Sequence, residues 1–172
     1  PSGEGVYQFC SRATDLAGNC EPMPASHDGE SGYDTVPPDT SVAASGQYWH
    51  ATSPHSISIT AGFQLAPIAQ VSLYYRYSSD NATGGTWNWF ATDSALGWDF
   101  SFTWPDGPGH YQFYTTSTDL AGNAEASPGA PDDRNGYDPN APVAAWVTVS
   151  PSPAYVGTNN VVWLNATIGA LD

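Results

Sequence analysis

The sequence predicts an all-β protein of antiparallel sandwich domains. Three observations carry this: hydrophobic residues alternate at period two, turn residues interrupt them at short spacing, and one stretch recurs about 100 residues later. Composition agrees. Of 172 residues, 40% are hydrophobic and 13% aromatic, too rich for a disordered chain. Charged residues make up 12%, about half of the roughly 25% usual in soluble domains. Ser, Thr, Gly, Asn and Pro take their place, as in secreted β-proteins. Seventeen Asp and Glu stand against three Arg and no Lys, for a net charge of −14. That balance argues against nucleic acid and anionic membrane surfaces, both of which are held by clustered Lys and Arg. No apolar run approaches the roughly 20 residues of a membrane span, and none has the layout of a secretory leader.

The repeat opens the chain. Residues 1–21, PSGEGVYQFCSRATDLAGNCE, align with residues 105–125, PDGPGHYQFYTTSTDLAGNAE. The alignment runs on without a gap to Gly32-Tyr33-Asp34 and Gly136-Tyr137-Asp138, with 18 of 34 positions identical. Chance does not produce that. A period near 100 residues fits an immunoglobulin-like antiparallel β-sandwich and is too long for a solenoid turn or propeller blade. The register assigns 1–34 to the C-terminal part of such a domain plus a linker. It assigns 35–138 to a complete domain plus linker, and 139–172 to the N-terminal part of a further one. One complete domain flanked by two partial ones is the expected organisation, a segment of a longer tandem array.

Each strand of the complete domain has its own signal. Ser56–Ala61 alternates, with Ile57 and Ile59 on one face. In Gln70–Ser78, Val71, Leu73, Tyr75 and Tyr77 oppose Ser72, Tyr74 and Arg76. The turn cluster Asp80-Asn81 to Gly84-Gly85 leads into Thr86–Thr92. In Gly97–Trp104, Trp98, Phe100, Phe102 and Trp104 alternate with Asp99, Ser101 and Thr103. Pro105 to Gly109 breaks the chain, His110–Thr118 is the next strand, and Asp119 to Asn123 forms a hairpin turn. Gly109-x-Tyr111-x-Phe113 is similar to a tyrosine corner with Phe113, not Cys, at the core position. Aromatic packing of Trp98, Phe100, Phe102, Tyr111 and Phe113 is then expected to join the sheets.

The series WP-x-G-x-G-x-Y-x-F, TDLAGN-x-E, GYD and a Pro-rich joint resembles tandem immunoglobulin-like repeats of archaeal and bacterial cell-surface proteins. LYYRYSSDN (73–81) and TWNWF (86–90) resemble the middle strands of those repeats. The likeness covers nearly all of 33–138 and both partial domains. It implies an extracellular location and a stalk, filament, surface layer or adhesin, and it brings no catalytic residues.

Four constellations bear on chemistry. Cys10 and Cys20 flank the first DLAGN turn, and without a third Cys or nearby His pair they read as a disulfide of an oxidising compartment. Asp15, Asn19 and Glu21, recurring as Asp119, Asn123 and Glu125, offer hard oxygen ligands that suit Ca²⁺ at domain joints. The competing reading is that Asp and Asn shape the turns and the other acids are solvated linker residues; no EF-hand spacing is present. Asn81-Ala82-Thr83 and Asn165-Ala166-Thr167 are N-glycosylation sequons. Trp87 and Trp89 share one face of their strand, as core residues or as a platform for stacking sugars. Exposure of both indoles separates the two.

His27, His50, His55 and His110 have no metal-ligand spacing, and no nucleophile elbow, Cys/His pair or phosphate-binding glycine loop occurs. No enzyme is expected, and no cofactor beyond Ca²⁺. The expected function is that of a non-catalytic extracellular structural protein, a subunit or segment of a cell-surface filament or surface layer. The alternative is an adhesin or carbohydrate-binding module of a secreted multidomain protein. Apolar rows such as Tyr7/Phe9 and Val161/Trp163 make strand complementation by further copies of the chain the expected self-association, with glycans as the other partner.

Overall fold

A computed structural model describes residues 3–81, 85–149 and 166–171, the last segment and 143–149 by their backbone only. The chain divides into two compact units, residues 1–138 and 139–172. In the second, β11 (Val143–Val149) and β12 (Ala166–Leu171) pair antiparallel, with an irregularity between Val143 and Trp146. Val161, Trp163 and Asn165 lie outside the described residues.

The first unit holds β1 (Gly5–Phe9), β2 (Gly29–Tyr33), β3 (Thr40–Val42), β4 (Trp49–His50) and β5 (His55–Ala61). It continues with β6 (Ile68–Ser78), β7 (Asn88–Asp93), β8 (Asp99–Phe102), β9 (Gly109–Asp119) and β10 (Asp133–Tyr137). Strands β3-β5-β8 make one sheet and β4-β10-β9-β6-β7 the other. All pairings are antiparallel except β4 with β10, where Trp49 and His50 run parallel to Gly136 and Tyr137. The expected all-β, sandwich-type architecture is therefore present, with one parallel edge that hydrophobic alternation does not signal.

The alternating rows meet between the sheets. Val42, Ile57, Phe100 and Phe102 from one side bury against Val71, Leu73, Tyr75, Tyr111 and Phe113 from the other, with Trp104 at one end. The rings pack edge to face: Phe102 lies 4.9 Å from Phe113 and 5.3 Å from Tyr75, centroid to centroid. Strand β8 is shorter than its alternation suggests. Trp98 and Trp104 take positive φ, 30° and 53°, and end it at both sides. Trp104 is still buried, donating its indole N–H to the Thr52 carbonyl at 3.0 Å. The Tyr111 hydroxyl donates to the Gly107 carbonyl (2.7 Å) and accepts from the Asp106 N–H (3.1 Å), closing the turn before β9. Burial pushes the Tyr111 phenol above its ordinary range. Gly109 sits beneath Tyr77, where a Cβ would come within 2.5 Å of the ring.

The β1–β2 hairpin copies β9–β10 bond for bond. Gly5 pairs with Tyr33 and Phe9 with Gly29, as Gly109 pairs with Tyr137 and Phe113 with Asp133. Asp28 N–H reaches the Phe9 carbonyl at 2.8 Å, and Asp132 N–H the Phe113 carbonyl at 2.8 Å. What differs is cover: Phe113 is 0% exposed and Phe9 56%.

Two acids of the repeat join the sheets. Glu125 accepts the backbone N–H (2.9 Å) and hydroxyl (2.6 Å) of Thr40 on β3, and the Ser117 hydroxyl (2.7 Å) on β9. Asp132 accepts the Val42 N–H at 3.2 Å and the Thr115 N–H at 3.0 Å. These acids, expected as metal ligands or solvated linker charges, instead hold the first strand of one sheet to the other.

Candidate binding face

While Val71, Leu73 and Tyr75 point inward, the intervening residues of β6 form the outer face of the five-stranded sheet. Cross-strand register lines them up. Tyr74 pairs with Tyr114 on one side and Trp89 on the other, Arg76 pairs with Gln112, and Gln112 pairs with Arg134. A bulge between Leu73 and Tyr74 absorbs Phe90 into the core and leaves Trp89 outside.

The rings form a continuous band. Tyr74 stacks on Tyr114 at 4.8 Å with planes 10° apart, and Trp87 meets Tyr114 edge-on at 4.4 Å. The Arg76 guanidinium lies 4.6 Å from the Trp87 ring centroid, while its Nε and Nη2 donate to Gln112 Oε1 at 2.8 and 2.6 Å. Trp89 is 60% exposed, and its indole N–H donates to Thr92 Oγ1 at 3.1 Å. Thr92 in turn bonds Ser72 across the strands at 2.7 Å. At the opposite edge, Trp49 lies over Gly136, whose Cβ would come within 2.4 Å of the indole, and packs 5.1 Å from the His110 ring.

Neither Trp87 nor Trp89 belongs to the core, so the core reading of this pair is corrected. The bulge turns Trp89 outward, and Trp87, partly covered, packs against Tyr114, itself buried, and under Arg76. Arg76, Gln112 and Arg134 were not recognisable as site residues from sequence. Only the strand register shows that two of the chain's three arginines occupy outward positions on the same sheet.

The remaining expected sites are placed as follows. Asp15 accepts the N–H groups of Ala17 (2.9 Å) and Asn19 (2.8 Å) and the Asn19 side chain (2.8 Å), so its carboxylate is bound within its own turn. These bonds, the Asn19 side chain first, hold its pKa below the ordinary value. Asp119 does the same with Asn123. Burial opposes its charge, but the Asn123 donors outweigh that and its pKa also lies low. Glu21 accepts the Ala13 N–H at 3.2 Å, and Glu125 turns to Thr40, so neither glutamate joins its turn's aspartate. Among the described residues, no group of three His, Cys, Asp or Glu side chains is arranged to hold a metal ion.

The expected Cys10–Cys20 disulfide is not formed. Both thiols are free and exposed, because the bridge next to the turn puts Thr14, not Cys10, opposite Cys20. Asn81 is exposed in the turn after β6, with φ of 60°. His50 and His55 stack 3.9 Å apart beside Trp104, and His50 Nε2 lies 3.2 Å from Asn135 Oδ1. No known protein family matches the chain, and neither does any curated protein.

Proposed function

We propose that this chain is a segment of a non-catalytic extracellular structural protein built from immunoglobulin-like domains in series, as in a cell-surface filament or surface layer. The strand orders β3-β5-β8 and β4-β10-β9-β6-β7 support an immunoglobulin-like assignment, with the β6–β7 and β9–β10 hairpins joined through the β6–β9 pairing. The observation that carries the serial reading is the joint after the first repeat. The Asp34 carboxylate accepts the N–H groups of Val36 (3.0 Å) and Ala66 (2.8 Å), and its carbonyl accepts from the Asn123 side chain at 3.2 Å. One repeat is thereby bonded to the loops of the next by a residue that the repeat itself contains. Further copies of the chain are the partner this reading implies, through strand addition on β1, where Phe9 stands exposed. Antibodies raised against the chain should label the outside of intact cells as a coat or as filaments. Labelling confined to the cell interior would overturn the proposal.

A second reading is favoured by one observation. The exposed Trp89, with Trp87 and Tyr74 packed on the buried Tyr114 beside it, suits an adhesin or carbohydrate-binding module, since exposed aromatic rings stack against sugars.

A further inference from the structure

We infer that the outer face of the five-stranded sheet binds acidic carbohydrate, with Trp89 and Trp87 stacking on sugar rings and Arg76 and Arg134 taking the carboxylates. The inference rests on the carbohydrate-binding reading and adds the charge class of the ligand.

Charge distribution argues for it. In a chain of net charge −14, two of three cations stand on this one face, flanking Gln112 from the two neighbouring strands. Among the described residues, no Asp or Glu takes an outward position on β6, β9 or β10. A protein that repels anions elsewhere thus has a local surface that attracts them. The guanidinium of Arg76 is already oriented by Gln112 and by the Trp87 ring, so little side-chain entropy remains to be lost when a carboxylate binds. Planar guanidinium forks match carboxylates in two parallel bonds.

The internal repeat argues for it independently. On β9 the inward residues Tyr111, Phe113 and Asp119 recur unchanged as Tyr7, Phe9 and Asp15, while Thr115 and Ser117 correspond to Ser11 and Ala13. Of the outward ones, Gln112 and Thr118 recur as Gln8 and Thr14, whereas His110, Tyr114 and Thr116 correspond to Val6, Cys10 and Arg12, and Arg134 corresponds to Glu30. Of the face's members within the repeat, Tyr114 and Arg134 are thus replaced by Cys10 and Glu30 in the first copy.

The test uses the whole chain and a matched pair of ligands: a galacturonic acid tetrasaccharide and its fully methyl-esterified form, which share the sugar rings while the ester carries no charge. Tryptophan fluorescence should report binding of the acid form, weakened several-fold between low and high salt. Trp89→Ala and the double variant Arg76→Gln/Arg134→Gln should each lower affinity about tenfold or more. Trp89 and Arg134 are exposed, and near-ultraviolet circular dichroism should show the variants folded. Equal binding of the ester would overturn the acidic assignment while leaving the sugar platform standing. Binding of neither would overturn both. Equal affinity for inorganic polyphosphate would show a general anion patch and overturn the carbohydrate assignment.

Discussion

The same residue performs different work in the two copies of the repeat. Phe113 is enclosed by Phe102, Trp104 and Tyr111, whereas Phe9, its counterpart, keeps an open ring. Phe113→Ala should therefore cost about 3–5 kcal/mol, and Phe9→Ala about 0.5 kcal/mol or less, as read by denaturant unfolding. The histidine stack makes a second residue-level prediction. Burial first, then the neighbouring His50, lowers the His55 pKa, against the opposing pull of Asp133. The unfolded chain then binds the proton more readily than the folded one. Stability should be full above pH 6.5 and decline as pH falls through the lower folded-state pKa. His55→Gln should flatten that slope in unfolding midpoints measured from pH 7.5 to 5.

At the scale of elements, β3 is the strand most dependent on side chains. It is three residues long, and Glu125 and Asp132 take two of its N–H groups from the opposite sheet. Glu125→Ala leaves the Thr40 N–H and hydroxyl without that acceptor and should destabilise the domain by about 1–3 kcal/mol. Hydrogen exchange should show faster exchange at Thr40, with Leu73 and Phe113 amides changing only as global stability does. Equal acceleration throughout would deny Glu125 this local role. Much of the fold was legible here: β5, β6, β8 and β9 follow the alternation of their apolar residues, and the DLAGN turns follow from Asp and Gly chemistry. Strands β2 (GESGY) and β10 (DRNGY) were not legible. Their sequences contain no apolar alternation; pairing with β1 and β9 makes them strands.

For the first unit as a whole, Asp34 ties the segment after the first repeat to Ala66 and Asn123. Asp34→Ala removes the acceptor for Val36 and Ala66 N–H groups and should free the Pro-rich segment 34–39. Limited proteolysis should then cut within 34–39 faster than in the unaltered chain, while the domain's unfolding midpoint stays nearly unchanged. An unaltered cleavage pattern would remove this residue from the joint and weaken the serial reading.

The sequence by itself determined what is local or periodic. Period-two alternation assigned an inner and an outer side to each long strand, and the 18 identities at an offset of 104 announced two copies of one hairpin. Both are properties of neighbouring residues and of chain order, so both survive without coordinates. Tertiary structure alone decided which outer residues become neighbours. The bulge between Leu73 and Tyr74 turned Trp89 outward, and the β6–β9–β10 register placed Arg76 and Arg134 beside Gln112. It also set Thr14 opposite Cys20 and delivered Glu125 and Asp132 to a strand about 90 residues earlier, by hydrogen bonds spanning 85 and 90 positions. Register is a collective property of the whole sheet: each row of side chains finds its partners only when every strand has docked.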